Sequence, residues 1–376
     1  MNDTALKKLL VDFRRDLHQI PELDFDLPRT RAYLFSRLEC LNCEIKDLGK
    51  AGFTAHFASA KQGVNDTIAF RSDMDAIPVI EQLNVKHKSL NDGRMHACGH
   101  DGHMSILLGL AIWLNDNLGT IDHNCLLVFQ AAEETTGGAK MICDTGVFEK
   151  YNVSRIFGLH IWPGYEKNAV VCRKNAFMAG TFVLYVNIEG LATHIADYEK
   201  GVDALEAGCK FIDMTYALEK ALPADVFRLL RFGKFESGQA DNIVADKAYI
   251  AGVMRAFDQD TFDYLWQGMR KIADEIEHET NAKIDVSRSD GYPQLINPEE
   301  LYDETKSIAI DAGFYWIELE KPMLQAEDFS FYQHELLGLY MHLATGMNCK
   351  LHACDYDIDE DVLLTGVQLF RTLLVK

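Results

Sequence analysis

The chain is organised around one segment, Met95-His96-Ala97-Cys98-Gly99-His100-Asp101-Gly102-His103-Met104, which the apolar run Ile106–Trp113 follows directly. A loop rich in potential ligands that leads into an apolar helix predicts polar groups at a helix N-terminus, on the edge of a core. The partial positive charge of a helix N-terminus favours the thiolate form of Cys98. Thiolate and imidazole together bind zinc and other first-row divalent metals. The alternative is a buried cysteine beside loop histidines, and the density of ligand types makes that alternative the weaker one.

The size and composition of the chain predict a soluble protein of two domains. Its 376 residues exceed the length at which a single core stops growing. A hydrophobic content of 48% and a charged content of 25% are ordinary for a globular protein. The net charge of −20 argues against nucleic acid or an anionic membrane surface as a partner. Most of this charge is interpreted as solvated surface.

The N-terminal segment and the cysteines indicate a cytoplasmic location. Residues 1–10 contain no apolar core of signal-peptide length, and no later run reaches transmembrane length. The nine cysteines are scattered along the chain, their number is odd, and several lie in apolar runs. This usage suits a reducing compartment better than a disulfide framework.

Helices and buried strands alternate between residues 67 and 163. The strand at 125–130 is almost entirely apolar, as a strand buried on both faces is, and it leads into Glu133-Glu134. A strand that begins near residue 67 leads into Asp73-Met74-Asp75, and the strand at 156–163 contains His160. The alternation predicts an α/β domain with a mainly parallel sheet and helices on both faces.

The pattern changes near Lys174. Residues 181–189 alternate between apolar and polar positions, as a strand with one solvated face does. Helices are predicted at 201–219 and 260–279, between further alternating strands. This predicts an inserted α+β domain at 174–290 with an antiparallel sheet, whereas residues 1–173 and 291–376 form the α/β domain.

Six residues at strand ends or in the following loops carry the candidate chemistry: Cys98, His100, Glu133, Glu134, His160 and His352. Five ligands, one of them shared, suffice for two metals held close together. One glutamate of the adjacent pair can be a ligand, while the other takes a proton from water and passes it to a leaving nitrogen. This is the chemistry of amide hydrolysis. Spacing alone leaves open whether these residues meet.

Over essentially its whole length the chain resembles the dinuclear-metal amidohydrolase and aminoacylase family. That family includes hippurate hydrolases, N-acetyldiaminopimelate deacetylases and plant hydrolases of indole-acetyl amino acids. The resemblance is carried in order by Arg14-Arg15-Asp16-Leu17-His18-Gln19-Ile20-Pro21-Glu22, Arg71-Ser72-Asp73-Met74-Asp75-Ala76-Ile77-Pro78, 95–101, Ala132-Glu133-Glu134 with Gly137-Gly138-Ala139, Phe157-Gly158-Leu159-His160-Ile161-Trp162-Pro163, Asn242-Ile243, Ala326-Glu327-Asp328-Phe329 and Leu351-His352.

The resemblance implies a role for each matched position. Cys98 bridges or ligates two divalent metals, and the remaining ligands are His100, Glu134, His160 and His352. Zinc, manganese, nickel and cobalt are the candidate ions. Glu133 is implied to be the general base, and Asp75 is implied to orient a ligand.

By the same resemblance, the inserted domain is a lid through which the protein forms a homodimer. His194 matches a lid histidine that stabilises the oxyanion in the partner subunit's site, while Asn242 and Arg255 match positions that hold the carboxylate end of the substrate. The chain departs from the family at Ala192-Thr193, where two glycines are usual. It also departs at Tyr198, where a second histidine is usual, and after His352.

The predicted function is therefore the metal-dependent hydrolysis of N-acyl amino acids, with N-acetyl- or aroyl-amino acids as small-molecule substrates. A dipeptidase or carboxypeptidase on the same scaffold is the first alternative. A non-catalytic protein that binds a metal or ligand is the second, although the base and every ligand of the pattern are present.

Overall fold

The structure is a computed structural model that describes residues 1–135 and 137–375. Within these residues the helices are α1 (Asp3–His18), α2 (Pro28–Leu38), α3 (His100–Asn117), α4 (Gly138–Cys143), α5 (Val147–Lys150), α6 (Ala204–Ala221), α7 (Gln259–Thr280), α8 (Glu299–Asp311), α9 (Tyr332–Glu335) and α10 (Val362–Val375). The strands are β1 (Glu44–Asp47), β2 (Gly52–Phe57), β3 (Thr67–Asp73), β4 (Asn124–Gln130), β5 (Val153–Trp162), β6 (Val170–Cys172), β7 (Asn175–Met178), β8 (Gly180–Glu189), β9 (Leu229–Ser237), β10 (Lys247–Ala256), β11 (Lys283–Arg288), β12 (Leu295–Asn297), β13 (Trp316–Glu318) and β14 (Leu337–Ala344).

The chain divides into two compact units. The first comprises Met1–Phe177, Leu295–Lys321 and Asp328–Lys376, and the second comprises Met178–Gln294 and Pro322–Glu327. The segment 322–327 groups with the second unit, whereas the sequence analysis assigned it to the first.

The first unit contains an eight-stranded sheet in the order β1-β2-β4-β3-β5-β14-β6-β13. Its central strands β4, β3, β5 and β14 are parallel, so their carboxyl ends lie along one edge. Every residue of β3 is buried, which is the burial expected of a strand covered on both faces. The α/β architecture with a mainly parallel sheet is confirmed.

Helices α1, α3 and α10 pack against one another in the first unit. The first twelve residues of α3 are all buried, because its apolar run has no hydrophilic face. Gly109 permits this close approach, since a Cβ there would lie 2.5 Å from Leu10 Cδ2. Helix α3 begins at His100, within the segment that the sequence analysis assigned to a ligand-rich loop.

The second unit is an α+β structure. Its sheet has the order β11-β8-β10-β9 and all neighbouring pairs are antiparallel. Helices α6 and α7 pack together and against this sheet. Helix α7 buries Leu265, Met269, Ile272 and Ile276, whose spacing of three and four residues lines one helix face. The predicted antiparallel α+β insertion is confirmed.

No helix in the described parts of the chain has the combined length and apolar character required to cross a membrane.

Candidate metal centre

The candidate site lies at the carboxyl ends of the parallel strands of the first unit. Asp73 ends β3, and its Cα pairs in register with that of Gln130 at the end of β4. His160 lies near the end of β5. Ligands in open α/β sheets bind at this edge, because the loops that leave the strands converge there.

The structure brings the five predicted metal ligands together in two overlapping groups. Potential ligand atoms of Cys98, His100 and His160 lie within 4.8 Å of one another, and so do those of Cys98, Glu134 and His352. The Cys98 Sγ lies 3.3 Å from His160 Nε2. Cys98 therefore belongs to both groups, which is the arrangement expected of a residue shared between two metals.

Hydrogen bonds hold two of the histidines in the tautomer that metal binding requires. His100 Nδ1 donates to the Asp75 carbonyl oxygen and His160 Nδ1 donates to the Ile161 carbonyl oxygen, each over 2.8 Å. A carbonyl oxygen can only accept, so both rings carry their proton on Nδ1 and keep the Nε2 lone pair. His100 Nε2 is buried without a hydrogen-bond partner among the described residues. An orphaned lone pair of this kind fits a metal-binding role.

Asp75 positions the adjacent glutamates through their backbone. The buried Asp75 carboxylate accepts the Glu133 N–H at 3.0 Å with one oxygen and the Glu134 N–H at 3.1 Å with the other. Gly138 allows the loop after β4 to pass close to its own backbone at Ala131, because a Cβ at position 138 would lie 2.0 Å from the Ala131 carbonyl oxygen. The loop conformation thus fixes the two neighbouring carboxylates independently of any ligand.

The electrostatics of the site favour a bound cation. Burial raises the pKa of the Cys98 thiol well above its ordinary value, and the carboxylates of Glu134 and Glu133 raise it further. Burial, together with the charges of Glu134 and Asp73, also raises the pKa of Asp75 despite its two backbone hydrogen bonds. In the metal-free protein, burial and these carboxylates therefore oppose the thiolate form of Cys98 that a helix N-terminus favours.

His352 and Glu134 form an ion pair at the mouth of the site. His352 Nε2 lies 3.1 Å from Glu134 Oε1, and the side chain of His352 is 52% exposed. The Glu134 carboxylate raises the pKa of His352. Burial opposes ionisation of Glu134, but His352 and His100 lower the pKa of its carboxyl below the ordinary value. The two potential metal-ligand atoms, Glu134 Oε1 and His352 Nε2, therefore already lie close together.

The remaining predicted residues lie in the second unit. His194 is exposed and begins a short 3₁₀ helix, Ile195–Lys200, whose Ala196 N–H donates to His194 Nδ1 over 3.1 Å. The Asn242 carbonyl accepts the Ile195 N–H at 3.0 Å, so Asn242 is a backbone neighbour of His194. Arg255 lies on β10, where its Nη1 donates to the Leu324 carbonyl. Its Nε is buried and has no hydrogen-bond partner among the described residues.

Two buried residues beside the ligands received no role from the sequence. Asp73 Oδ2 lies 3.7 Å from His100 Nε2, and Asp73 Oδ1 accepts a hydrogen bond from His103 Nδ1 over 2.7 Å. Burial opposes ionisation of Asp73, but His100, His103 and Arg71 lower its pKa well below the ordinary value. The three-residue spacing of His100 and His103, which places both on one face of α3, is the signal that could have identified His103.

A family model describing peptidase family M20/M25/M40 matches residues 69–376. The chain belongs to this family. The M20/M25/M40 chain is thus a hydrolase of the amidohydrolase and metallopeptidase type, and the family resemblance found in the sequence is confirmed.

Relatives of this M20/M25/M40 chain match it over nearly its full length. An uncharacterized hydrolase from Staphylococcus aureus strain USA300 is 32% identical over 376 residues, which cover 96% of each chain. The crystal structure of the Bacillus subtilis YxeP protein, described as a dinuclear metal binding peptidase of the M20 family, is 27% identical with a TM-score of 0.86. The match covers 99% of this chain and 98% of YxeP.

A protein from methicillin-resistant Staphylococcus aureus shares the fold with a TM-score of 0.92 at 24% identity. That match covers 99% of this chain and 97% of the other.

Proposed function

We propose that the chain hydrolyses the amide bond of N-acyl amino acids and releases a carboxylate and a free amino acid. N-acetyl- and aroyl-amino acids are the proposed substrates. The observation that carries this proposal is the presence of Cys98 in two groups of metal-ligand atoms, beside a glutamate that is adjacent to a ligand. This arrangement supports two metals and a separate proton acceptor in one site.

Two divalent metal ions are proposed to be held by Cys98, His100, Glu134, His160 and His352, with zinc, manganese, nickel and cobalt as candidates. When bound, such ions polarise a substrate carbonyl and lower the pKa of a water molecule between them. The raised pKa of Cys98 means that the thiol must lose its proton when it becomes a ligand.

Glu133 is proposed to be the general base. A carboxylate oxygen of Glu133 lies within 4.8 Å of the ligand atoms of His100 and Glu134, and its backbone is held by Asp75. It can therefore receive a proton from water at the site and deliver it to the nitrogen that leaves. Asp75 acts through the two glutamates and is proposed to be a positioning residue.

His194 is proposed to stabilise the oxyanion in the site of the partner subunit. Because the Ala196 N–H can only donate, His194 Nδ1 accepts, and the neutral ring carries its proton on Nε2. An exposed Nε2–H is a suitable donor to a developing oxyanion. This role makes activity dependent on a homodimer formed through residues 174–290. The sheet edge at β9 includes the exposed Phe235 and supports such an association.

Arg255 and Asn242 are proposed to hold the carboxylate end of the substrate. Arg255 is half-buried, and its Nε lacks a hydrogen-bond partner among the described residues. A guanidinium with an uncommitted N–H favours an anionic ligand. A cytoplasmic location is proposed as well, since all nine cysteines are free.

The test is a hydrolysis panel of N-acetyl-amino acids, N-benzoyl-amino acids and dipeptides, each with added Zn²⁺, Mn²⁺, Ni²⁺ or Co²⁺ and with chelator. We expect release of free amino acid from the N-acyl compounds and reversible loss of activity with chelator. In the Glu133→Gln control, release should be slower by about a hundredfold or more. Cleavage of dipeptides alone would favour the peptidase alternative. Failure on every substrate by a metal-loaded protein would favour the non-catalytic one.

The role of His194 is tested by complementation between two inactive chains. A His194→Ala chain and a Glu133→Gln chain are mixed under conditions in which subunits exchange. Each mixed dimer should contain one working site, formed by Glu133 of one chain and His194 of the other. If exchange is demonstrated and no activity returns, His194 does not act across the interface.

A further inference from the structure

The ring of His103 is buried beside the metal-ligand groups, yet both of its nitrogens are committed to protein partners. The Ile161 N–H donates to His103 Nε2 over 2.8 Å, and a backbone N–H can only donate. The proton of the neutral ring is therefore on Nδ1, which donates to Asp73 Oδ1 over 2.7 Å. Asp73, His100 and His103 lie close enough to form a ligand group, but His103 has no lone pair left for a metal.

His103 contacts Ile161, whose carbonyl orients His160. Ile161 donates its N–H to His103, and its carbonyl oxygen accepts the hydrogen bond from His160 Nδ1 over 2.8 Å. The opposite nitrogen of His160, Nε2, faces Cys98 Sγ at 3.3 Å. Any shift of Ile161 therefore changes the direction of the His160 lone pair.

A buried ion network holds His103 in this orientation. Arg71 Nη1 donates to Asp73 Oδ2 over 2.8 Å, and Arg71 Nη2 donates to Asp328 Oδ1 over 2.8 Å. Asp328 Oδ2 accepts hydrogen bonds from Gln130 Nε2 at 2.7 Å and from the Ala139 N–H at 3.1 Å.

Arg71, Asp73 and Asp328 are buried charged groups of this network. Burying such groups costs several kcal/mol per ion, so stability alone is a weak reason for it. Its contacts link the His103 ring, which supports Ile161, to β3, to β4 and to the short 3₁₀ helix that begins at Asp328.

We propose that His103 is a positioning residue for His160, and that Asp73, Arg71 and Asp328 fix the tautomer and place of its ring. The inference rests on the proposed function, in which His160 is a metal ligand. Supporting contacts of this kind are worth about tenfold to a hundredfold in metal affinity in other sites.

Two substitutions separate the two hydrogen bonds of His103. In His103→Asn the amide nitrogen can take the place of Nδ1 and donate to Asp73, but the side chain is too short to accept from Ile161. In His103→Gln the amide oxygen can take the place of Nε2 and accept from Ile161. A matched control is His123→Asn, since His123 Nδ1 bonds Asp66 Oδ2 over 2.8 Å near the amino ends of β3 and β4.

The experiment is a Co²⁺ titration of the full-length, metal-free protein. It measures the number of ions bound, their dissociation constants and the visible cobalt–thiolate spectrum. We expect H103N to bind one of two ions about tenfold to a hundredfold more weakly, with a changed spectrum. We expect H103Q to recover most of the affinity and H123N to match the wild type. Thermal unfolding of the metal-free variants reports any general loss of stability separately.

Wild-type affinity and spectrum in H103N would overturn the inference. If His103 were itself a ligand, H103Q would lose the ion as completely as H103N, which also contradicts it. If H103N does not fold, loss of the ion in H103Q still contradicts the inference. Failure of the proposed function is distinguishable, because wild-type protein would then bind no pair of Co²⁺ ions or would bind them without hydrolysing any N-acyl amino acid.

Discussion

Replacing Asp75 by asparagine should weaken metal binding more than it weakens the metal-free fold. Each oxygen of Asp75 accepts one backbone N–H, from Glu133 at 3.0 Å and from Glu134 at 3.1 Å. Asparagine keeps one acceptor and turns an NH₂ group toward the other N–H. A hydrogen bond to a charged group is worth about 1.5–3 kcal/mol, and an unsatisfied buried donor costs about 1–3 kcal/mol. Because the lost hydrogen bond and the unsatisfied N–H are partly the same loss, the two terms do not add fully, and we expect a cost of about 2–4 kcal/mol for the metal-loaded protein.

The metal-free protein should lose less. Burial and the charges of Glu134 and Asp73 raise the pKa of Asp75 well above its ordinary value, so the ionised form of Asp75 is less favoured in the metal-free protein than beside bound cations. Because a protonated carboxyl is a weaker hydrogen-bond acceptor than a carboxylate, replacing it with asparagine removes less stabilisation. Bound cations favour the ionised form, so D75N should lower metal affinity about tenfold to a hundredfold, or about 1.4–2.8 kcal/mol.

The assay combines a Co²⁺ titration with urea unfolding in the presence and absence of metal. Asp66→Asn is a suitable control, because Asp66 is a partly exposed carboxylate that accepts one hydrogen bond from His123. Equal losses of unfolding free energy with and without metal would refute the argument from the pKa of Asp75. Unchanged metal affinity and unchanged turnover would refute its positioning role.

Three further predictions concern the site and its support. Glu133→Gln should lower kcat by about a hundredfold or more with metal content unchanged, because a positioned base contributes that much; steady-state kinetics and metal analysis check this. Cys98→Ala should lose bound metal while circular dichroism shows a retained fold, because both donor groups contain Cys98. Arg14→Met should cost about 3–5 kcal/mol in urea unfolding, since it removes the guanidinium 3.0 Å from the buried Asp101 and leaves His18 as its remaining basic partner. Although burial opposes ionisation, Arg14 and His18 lower the pKa of Asp101 in the folded protein. The loss of unfolding free energy in Arg14→Met should therefore be largest above about pH 4 and decrease as the pH falls.

Local patterns in the sequence predicted most elements of the fold. The apolar run at 125–130 predicts a buried strand whatever the position of that strand in the sheet. The alternation of apolar and polar residues at 181–189 predicts a strand with one solvated face. These patterns depend on neighbours within a few positions. The short strands β6 and β13 and the grouping of 322–327 with the second unit were not predicted. They depend on which distant segments pack together.

For the candidate site, the sequence by itself supplied the chemical types of the ligands and the adjacency of Glu133 and Glu134. Only the tertiary structure brings Cys98 beside Glu134 and His352, because that meeting depends on strand order and on loops far apart in sequence. The tertiary structure also shifts the protonation equilibrium of Cys98. The helix N-terminus suggested a thiolate at Cys98, but burial and two carboxylates raise its pKa, and these carboxylates lie in the loop that follows β4. Composition and spacing determine which groups are available, whereas long-range packing determines their distances, tautomers and charges.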